Sequence, residues 1–255
     1  MNALEVNLTI LLAVFGACAA SFVNAASLRQ AAGESFIKGR SRCPHCEKAL
    51  RWFELIPVVS WLLAAGKCRK CKKAISPRYI LVELFGAATA ALVFVRFGLS
   101  LMTPLAVGVV FILLAITLID QSTMEIPNGL IIALAPLAIA AFFIQDEITL
   151  IERLIGIIAL AVPMFILAFI IGGAFGGGDI KLMAVCGFLL GWQGTILAFF
   201  LGVVTAGTVA LRLIFRRKVK KGAHMPFGPH LCFGIATSLL FGQDIITWYL
   251  GFFNF

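Results

Sequence analysis

Residues 169–185, FIIGGAFGGGDIKLMAV, join two strongly apolar segments through a run of glycines that ends at one acidic residue, Asp179. The segments on both sides belong to a chain of 255 residues that is 61% hydrophobic and only 13% charged, with a mean hydropathy of +1.04. That apolar share is far above the composition of soluble domains. The sequence therefore predicts an all-α polytopic membrane protein and excludes the soluble classes.

Apolar windows of spanning length predict about eight transmembrane helices. They cover residues 6–25, 79–97, 101–119, 129–144, 151–171, 180–193, 195–214 and 231–250. The first has no basic residues before it, so it is interpreted as a retained helix and not a cleaved signal peptide. The fourth and sixth are short for a hydrocarbon core of about 30 Å, so we expect them to be tilted or partly buried in the bundle.

The basic residues predict the orientation. Of the 21 Lys and Arg, all but Arg96 and Arg153 fall in or beside four loops. The loops are 26–78, 120–128, 172–180 and 212–230. Basic loops stay on the cytoplasmic side of a membrane, so we expect these loops to be cytoplasmic and both termini to lie outside. The same bias accounts for the net charge of +9 without a nucleic-acid partner.

The first loop, residues 26–78, carries two Cys-x-x-Cys pairs, RCPHCEKAL and KCRKCKKAI. Four thiolates at Cys43, Cys46, Cys68 and Cys71 would complete a closed tetrahedral zinc site, which is a structural type of site. The alternative is a pair of disulfides or spare thiols, which a reducing cytoplasm disfavours. Between the pairs, residues 51–66 are too short to span, and their tryptophans predict a segment at the membrane interface.

Two carboxylates, Asp120 and Asp179, are predicted at the cytoplasmic edge of the membrane, where ionisable groups are costly and suggest function. Two carboxylates brought together share one proton. One can then act as general base on a water while the other, protonated, polarises a scissile carbonyl. Gly176, Gly177 and Gly178 would give a substrate close access to Asp179.

Each aspartate also has a structural interpretation that the residues alone leave open. Asp120 could be a helix-end residue in water, and Asp179 could cap the sixth span or pair with Lys181. Glu125 is a rival for the second carboxylate, although we expect it to be solvated in its loop. The glycines could serve as a flexible loop between two helices.

In their order and spacing, these motifs resemble the type IV prepilin peptidase family, the bifunctional leader peptidases and N-methyltransferases. The resemblance covers nearly the whole chain. It rests on SFVNAASLR, the paired Cys-x-x-Cys motifs, LIPVVSWL, SPRYILVELFGA, LIDQSTMEIPN, GGGDIKLMA and PFGP.

The resemblance implies a GxGD-type aspartyl protease of the bacterial inner membrane. Asp120 and Asp179 match the family's catalytic aspartates, which cut the short basic leader from prepilins or pseudopilins at the cytoplasmic face. The resemblance also implies methylation of the new N-terminal amine from S-adenosylmethionine, and Glu83 in LVEL matches a family glutamate linked to that transfer. It divides the chain into residues 1–97, associated with methyl transfer, and residues 98–255, the protease part.

Departures from the family pattern concern mainly the methyltransferase part. Glu47 stands where the first cysteine pair usually has a glycine, and residues 25–36 differ from the common arginine–leucine–proline sequence. Ser122 replaces a frequent, non-catalytic aspartate. Alternatives are a leader peptidase without methyl transfer, an ion-coupled transporter that uses the same aspartates, and a non-catalytic assembly factor that binds pilins. The sequence specifies neither the oligomeric state nor residues that bind S-adenosylmethionine.

Overall fold

The computed structural model describes residues 2–33, 41–172, 175–216 and 225–252, so Gly173 and Ala174 of the glycine run lie outside it. The described part contains eight α-helices and one 3-10 helix, Trp52–Leu55. The α-helices are α1 Ala3–Ala31, α2 Val59–Leu63, α3 Arg78–Phe97, α4 Met102–Thr123, α5 Asn128–Ile144, α6 Leu150–Ile171, α7 Gly177–Phe215 and α8 Gly228–Gly251.

The prediction of an all-α membrane protein is confirmed. Six helices are long and apolar enough to cross a membrane, and α5 is a shorter apolar helix. The described ranges contain no β-strand, only two isolated bridges in the cysteine loop. The eight predicted spans coincide with these seven helices, because α7 contains two of them; only the third span, 101–119, begins one residue before its helix.

The chain divides into two compact units, Met1–Thr103 and Pro104–Phe255, called unit 1 and unit 2 below. In unit 1, α1 packs against α3 through small residues on both helices. A Cβ on Gly16 would collide with the carbonyl of Gly86, and a Cβ on Gly86 would collide with Ala20. The helices therefore approach to backbone contact, which larger side chains would prevent.

The segment between the cysteine pairs contains the 3-10 helix and the five-residue α2, as expected for a stretch too short to span. Large apolar side chains on it are exposed, with Trp52 77% and Leu63 73% accessible. Exposed tryptophan and leucine on short helices fit an interfacial position. α1 extends six residues past its predicted end at 25 into this loop.

α7 reverses direction at Gly191, which has φ 68° and ψ 174°, a backbone conformation open almost only to glycine. The ring of Phe175, just before α7, lies 6.2 Å from the ring of Phe199 in the second half. A continuous helix from 175 to 199 would separate them by about 36 Å. The two halves are therefore two antiparallel passes, as the sequence predicted.

The reversal is stabilised by Arg153 in the first turn of α6, which is completely buried. Its Nη1 donates to the carbonyls of Phe188 (3.0 Å) and Leu189 (3.1 Å), which precede the break. Its Nη2 donates to the last turn of α5, at the carbonyls of Ala141 (3.3 Å) and Gln145 (3.4 Å). One guanidinium thus donates to carbonyl groups at the ends of two helix segments, in addition to the N–H of Gln145 that the Ala141 carbonyl already accepts.

Close packing continues at other helix pairs of unit 2. Gly156 of α6 meets Gly187 of α7 at backbone contact, and Gly234 of α8 meets Ala198 of α7 in the same way. α4 is the most buried of the candidate spans, with 72% of its apolar window buried.

We predict that Arg153→Met lowers the stability of the protein by about 3 kcal/mol, because the helix-end carbonyls lose their donors inside an apolar environment. Thermal unfolding in detergent measures the change. Arg212→Met is the matched control, since Arg212 lies on α7 but is exposed, and we expect it to stay within about 0.5 kcal/mol of the parent. Equal stability of the two variants would contradict the role given to Arg153.

Candidate active site and metal centre

Asp120 and Asp179 come together in unit 2. Asp120 lies one turn before the end of α4 and Asp179 lies in the first turn of α7. Their side chains are buried, with Asp120 4% and Asp179 9% exposed. The residues bonded to them, Gly228 and Gly176, directly follow two phenylalanines whose ring centroids are 5.8 Å apart. Two carboxylates from distant parts of the sequence therefore share one site.

Each aspartate is held by the backbone of a glycine. The N–H of Gly228, the first residue of α8, donates to Oδ2 of Asp120 at 3.0 Å, and the N–H of Gly176 donates to Oδ2 of Asp179 at 3.1 Å. A Cβ on Gly228 would lie 2.7 Å from the same Asp120 oxygen, so the close approach requires glycine. Among the described residues, the Oδ1 atom of each aspartate accepts no hydrogen bond.

The structure separates the alternatives for these residues. Asp120 is not a solvated helix-end residue, because it is buried and bonded to a residue far along the chain. Asp179 is not the N-cap residue of its helix, which is Gly176; it is the third helical residue, and its side chain accepts the N–H of Gly176. Lys181 does not pair with it but donates to Oδ1 of Asn128 at 3.0 Å. Glu125 is exposed, as expected for a loop residue.

The glycines before Asp179 differ in their surroundings. A Cβ on Gly177 would meet nothing within 4 Å, so this position faces open space. A Cβ on Gly178 would lie 2.8 Å from Cβ of Ile126, which packs the α4–α5 loop against the start of α7. Ser122 bonds to carbonyls of its own helix, at Leu118 and Ile119.

An apolar groove lies on the face of α7 that carries Lys181, Ala184 and Val185. It lies between α5 and α7, has a volume of about 440 Å³, and has Asn128 and Lys181 at its polar end. Ile131, Ile132, Ala184 and Val185 form the remainder of its lining. A groove of this kind offers apolar contact along the first half of α7, the helix that carries Asp179.

The four predicted cysteines cluster in unit 1, with their sulfur atoms all within 4.8 Å of one another. Sγ of Cys43 and Cys71 are 3.9 Å apart, and Sγ of Cys46 and Cys68 are 4.0 Å apart. All four are free thiols, because a disulfide would bring the sulfurs to about 2 Å. Sulfur ligands at 2.3 Å from a tetrahedral zinc ion would be about 3.8 Å apart, so the donor set fits such an ion.

The two cysteine pairs form equivalent turns. Cys43 N–H donates to Lys48 and Cys68 N–H donates to Lys73, each across its own turn. The residue after the second cysteine of each pair has positive φ, 52° at Glu47 and 59° at Lys72. Left-handed backbone favours glycine, so the usual glycine at position 47 is understandable. A glutamate there is strained but feasible, since Lys72 adopts the same conformation in the second turn.

The thiols of this cluster differ in acidity. Backbone N–H groups of Cys71 and Lys70 lower the pKa of the Cys68 thiol to about 6. At Cys46 the backbone N–H of Lys48 is outweighed by burial and by the neighbouring sulfurs, which raise the pKa of that thiol to about 11. His45 between the first two cysteines is exposed and belongs to no cluster in the described residues.

Charged side chains connect the cysteine turns to the interfacial segment. Lys48 pairs with Glu54 at 3.2 Å. The guanidinium of Arg69 lies 5.3 Å and that of Arg51 6.0 Å from the ring of Phe53. Both cysteine turns therefore contact the 3-10 helix, and the fold of the loop positions this helix.

Glu83 lies in α3 and is 7% exposed. Its Oε1 accepts the hydroxyl of Ser21 and its Oε2 accepts the N–H of Val58, both at 2.7 Å. Val58 has φ 62°, which is strained for a β-branched residue. Glu83 thus fixes a strained turn before α2 to the helix pair α1–α3.

Asn24 is a residue that the sequence interpretation missed. It is completely buried on α1, and neither its amide nitrogen nor its amide oxygen has a hydrogen-bond partner among the described residues. It lies one turn after Ser21, the partner of Glu83, on the face where Ala17, Ala20 and Ser27 are also buried. The signal in the sequence was this stripe of small and polar residues at helical spacing.

Two family profiles match the chain. The profile described as the bacterial peptidase A24 N-terminal domain matches residues 14–97, and the profile described as the type IV leader peptidase family matches residues 106–211. No solved structure matches the chain.

Three similar proteins are all named prepilin leader peptidase/N-methyltransferase. The protein from Bacillus subtilis (strain 168) is 35% identical over 240 residues, which are 94% of this chain and 97% of that protein. The protein from Stutzerimonas stutzeri is 36% identical over 83% of this chain and 75% of its own. The protein from Aeromonas hydrophila is 33% identical over 83% of this chain and 74% of its own.

We predict opposite effects when the two buried polar residues of unit 1 are replaced by leucine. Glu83→Leu leaves the N–H of Val58 and the hydroxyl of Ser21 without an acceptor, which costs about 1–3 kcal/mol. Asn24→Leu removes an amide that has no partner in the described part of the chain, so stability stays unchanged or rises. Chemical unfolding of the full chain in detergent measures both. A loss in Asn24→Leu as large as that in Glu83→Leu would contradict the assignment of Asn24 as unpaired.

Proposed function

The chain belongs to the type IV leader peptidase family, and on that basis we propose that it cuts the leader from prepilins and N-methylates the new N-terminal residue. It is a multi-pass membrane enzyme of the bacterial inner membrane. The observation that carries the protease proposal is the pair of buried aspartates. In each, one oxygen accepts a glycine N–H, and the other accepts no hydrogen bond from the described residues.

We propose that Asp120 and Asp179 are the catalytic residues. The ionised carboxylate takes a proton from a water, whose oxygen attacks the scissile carbonyl carbon. The protonated carboxyl donates its proton to the carbonyl oxygen, and the tetrahedral intermediate then breaks its C–N bond as the leaving amine takes up a proton. In this proposal the Oδ2 atoms stay bonded to the backbone, and the Oδ1 atoms handle the proton and the water.

The substrate class follows from the relatives' names and the chemistry of the site. A prepilin or pseudopilin has a basic leader and an apolar helix, so its scissile bond would lie at the membrane edge. The basic loops support a site on the cytoplasmic side. The apolar groove between α5 and α7 would receive the apolar part of the substrate, and the open space at Gly177 would admit the extended bond.

We propose that methyl transfer belongs to residues 1–97 and that residues 98–255 form the protease part. S-adenosylmethionine supplies the methyl group when bound. Glu83 would act by positioning, since both of its oxygens hold other groups, and its bond to Val58 fixes the segment before α2. No residue is assigned to hold S-adenosylmethionine.

We propose that Cys43, Cys46, Cys68 and Cys71 hold a structural zinc ion. Four sulfur donors with no open position suit zinc, and such a site folds a loop that is too small to form its own core. The ion would thereby fix the 3-10 helix and the turn at Val58. An ion-coupled transporter is not favoured, because the relatives along the whole chain carry the names of enzymes.

The proposed function is tested by reconstituting the protein with a prepilin and following leader removal and methyl incorporation separately. Asp120→Asn and Asp179→Asn keep the side-chain volume but remove the ionisable group, so each should reduce cleavage by at least about 1000-fold. Both should still methylate a synthetic peptide that begins at the new N-terminus. Glu83→Leu should do the reverse, cleaving but failing to methylate.

These variants control for one another, because each must retain the activity that the other loses. Cleavage by either asparagine variant at the parental rate would sink the aspartate-pair assignment. Loss of both activities in Glu83→Leu would refute the division of the chain into two functional parts, provided that the variant inserts into the membrane.

Zinc is tested by metal analysis of the purified protein. Cys68→Ser should release about one equivalent of zinc and increase proteolysis of the cysteine loop, because three ligands no longer close the site. Cys18→Ser is the matched control, since Cys18 is an exposed cysteine of the same unit. Full zinc retention in Cys68→Ser would rule out the four-thiolate site.

A further inference from the structure

Three phenylalanines of unit 2, called the ring triad here, contact one another beside the aspartates. They are Phe175, Phe199 and Phe227. Their ring centroids are 5.8 Å apart for Phe175 and Phe227, 6.2 Å for Phe175 and Phe199, and 6.4 Å for Phe199 and Phe227. The planes are tilted by 47°, 58° and 81°, arrangements that are favourable between aromatic rings.

Two members of the ring triad directly precede the glycines that hold the aspartates. Phe175 comes before Gly176, whose N–H binds Asp179, and Phe227 comes before Gly228, whose N–H binds Asp120. Each of these N–H groups is part of the peptide bond between the phenylalanine and the glycine that follows it. A shift of the phenylalanine Cα atom, which the ring contacts restrain, therefore moves the donor that fixes one aspartate oxygen.

The third member, Phe199, comes from the returning half of α7 and belongs to no motif of the site. Its helix is packed firmly against α8, since the neighbouring Ala198 meets Gly234 at backbone contact. Phe175 and Phe227 occupy non-helical positions just before their helices. Phe199 is therefore the fixed member against which the other two rings rest.

The ring contacts connect residues 175–176 with residues 227–228, two segments that no described side-chain hydrogen bond joins directly. Gly176 and Gly228 have no side chains, so neither can set its own position by packing. Ring contacts of this kind contribute about 0.5–1.5 kcal/mol each beyond the buried area. Three contacts in a triangle define the relative position of both donors, and so of both carboxylates.

We propose that the ring triad positions the two aspartates relative to each other, with Phe199 as a positioning residue for peptide cleavage. This inference rests on the proposed protease function. The rings touch neither aspartate in the contacts above; they act through the N–H groups of Gly176 and Gly228. Removing the Phe199 ring loosens the geometry of the reacting groups while leaving the apolar groove unchanged.

The test measures kcat, KM and the pH profile of leader removal by the full chain in lipid vesicles. Phe199→Ala should lower kcat roughly 10- to 100-fold, as small misplacements of reacting groups do. KM should stay within about threefold, since the groove is intact. The two limbs of the pH profile should move toward each other, because a looser pair shares its proton less strongly. Phe199→Tyr keeps a ring and should restore most of the rate.

Phe200→Ala is the matched control. Phe200 is the next residue on the same helix, but it is 61% exposed and points away from the packed face. We expect parental kinetics and an unchanged pH profile from this variant. If Phe199→Ala does not accumulate in the membrane, Phe199→Leu replaces it with the same expected loss of kcat.

Several results would overturn the inference while leaving the proposed function intact. One is Phe199→Ala kinetics equal to those of Phe200→Ala, with cleavage still lost in Asp179→Asn. Another is a rise in KM at unchanged kcat, which would make the ring triad a substrate pocket. A protein whose cleavage does not depend on the aspartates would instead refute the proposed function itself.

Discussion

The buried guanidinium of Arg153 is the interaction on which the arrangement of unit 2 depends. α7 can return alongside itself only if its backbone breaks, and a break inside an apolar environment leaves carbonyl groups without donors. Arg153 supplies those donors at Phe188 and Leu189, and it also reaches the last turn of α5. Without the reversal at Gly191, the second half of α7 could not reach the ends of the helices that carry the aspartates.

The aspartate site shows why glycine dominates its surroundings. A carboxylate buried in a membrane protein needs donors, and backbone N–H groups provide them only where the chain comes very close. Gly228 meets Asp120 at a distance that excludes any Cβ, and Gly176 begins the helix that carries Asp179. Within the glycine run, contact with a carboxylate thus accounts for Gly176, whereas Gly178 closely approaches Ile126 and Gly177 faces open space.

The sequence predicted the spans and the cysteine cluster, and it led us to expect Asp120 and Asp179 at one face, because each has a direct physical signal. Hydropathy marks the spans, ligand spacing marks a metal site, and the distribution of basic loops brings Asp120 and Asp179 to one face. It did not predict the role of Arg153, because hydropathy gives no information on backbone carbonyls at helix ends. In the sequence Arg153 was only one of two basic residues outside the four loops expected to be cytoplasmic. Nor could the sequence separate Phe199 from Phe200, because lipid-facing and packed phenylalanines look alike in a membrane helix.

The second cysteine turn shows how much strain the departure from the family pattern at Glu47 introduces. Glu47 and Lys72 occupy equivalent positions with nearly equal positive φ, so the chain tolerates two residues that bear a Cβ where glycine is favoured. The cost is about 1–2 kcal/mol at each, which the folding free energy of a four-thiolate metal site exceeds several times. If the loop binds a metal ion, the free energy of binding offsets the backbone strain at these two positions. Without the ion, the same turns would lack this contribution. The substitution at Glu47 is thus compatible with a metal-stabilised loop and gives no reason to doubt the cysteine site.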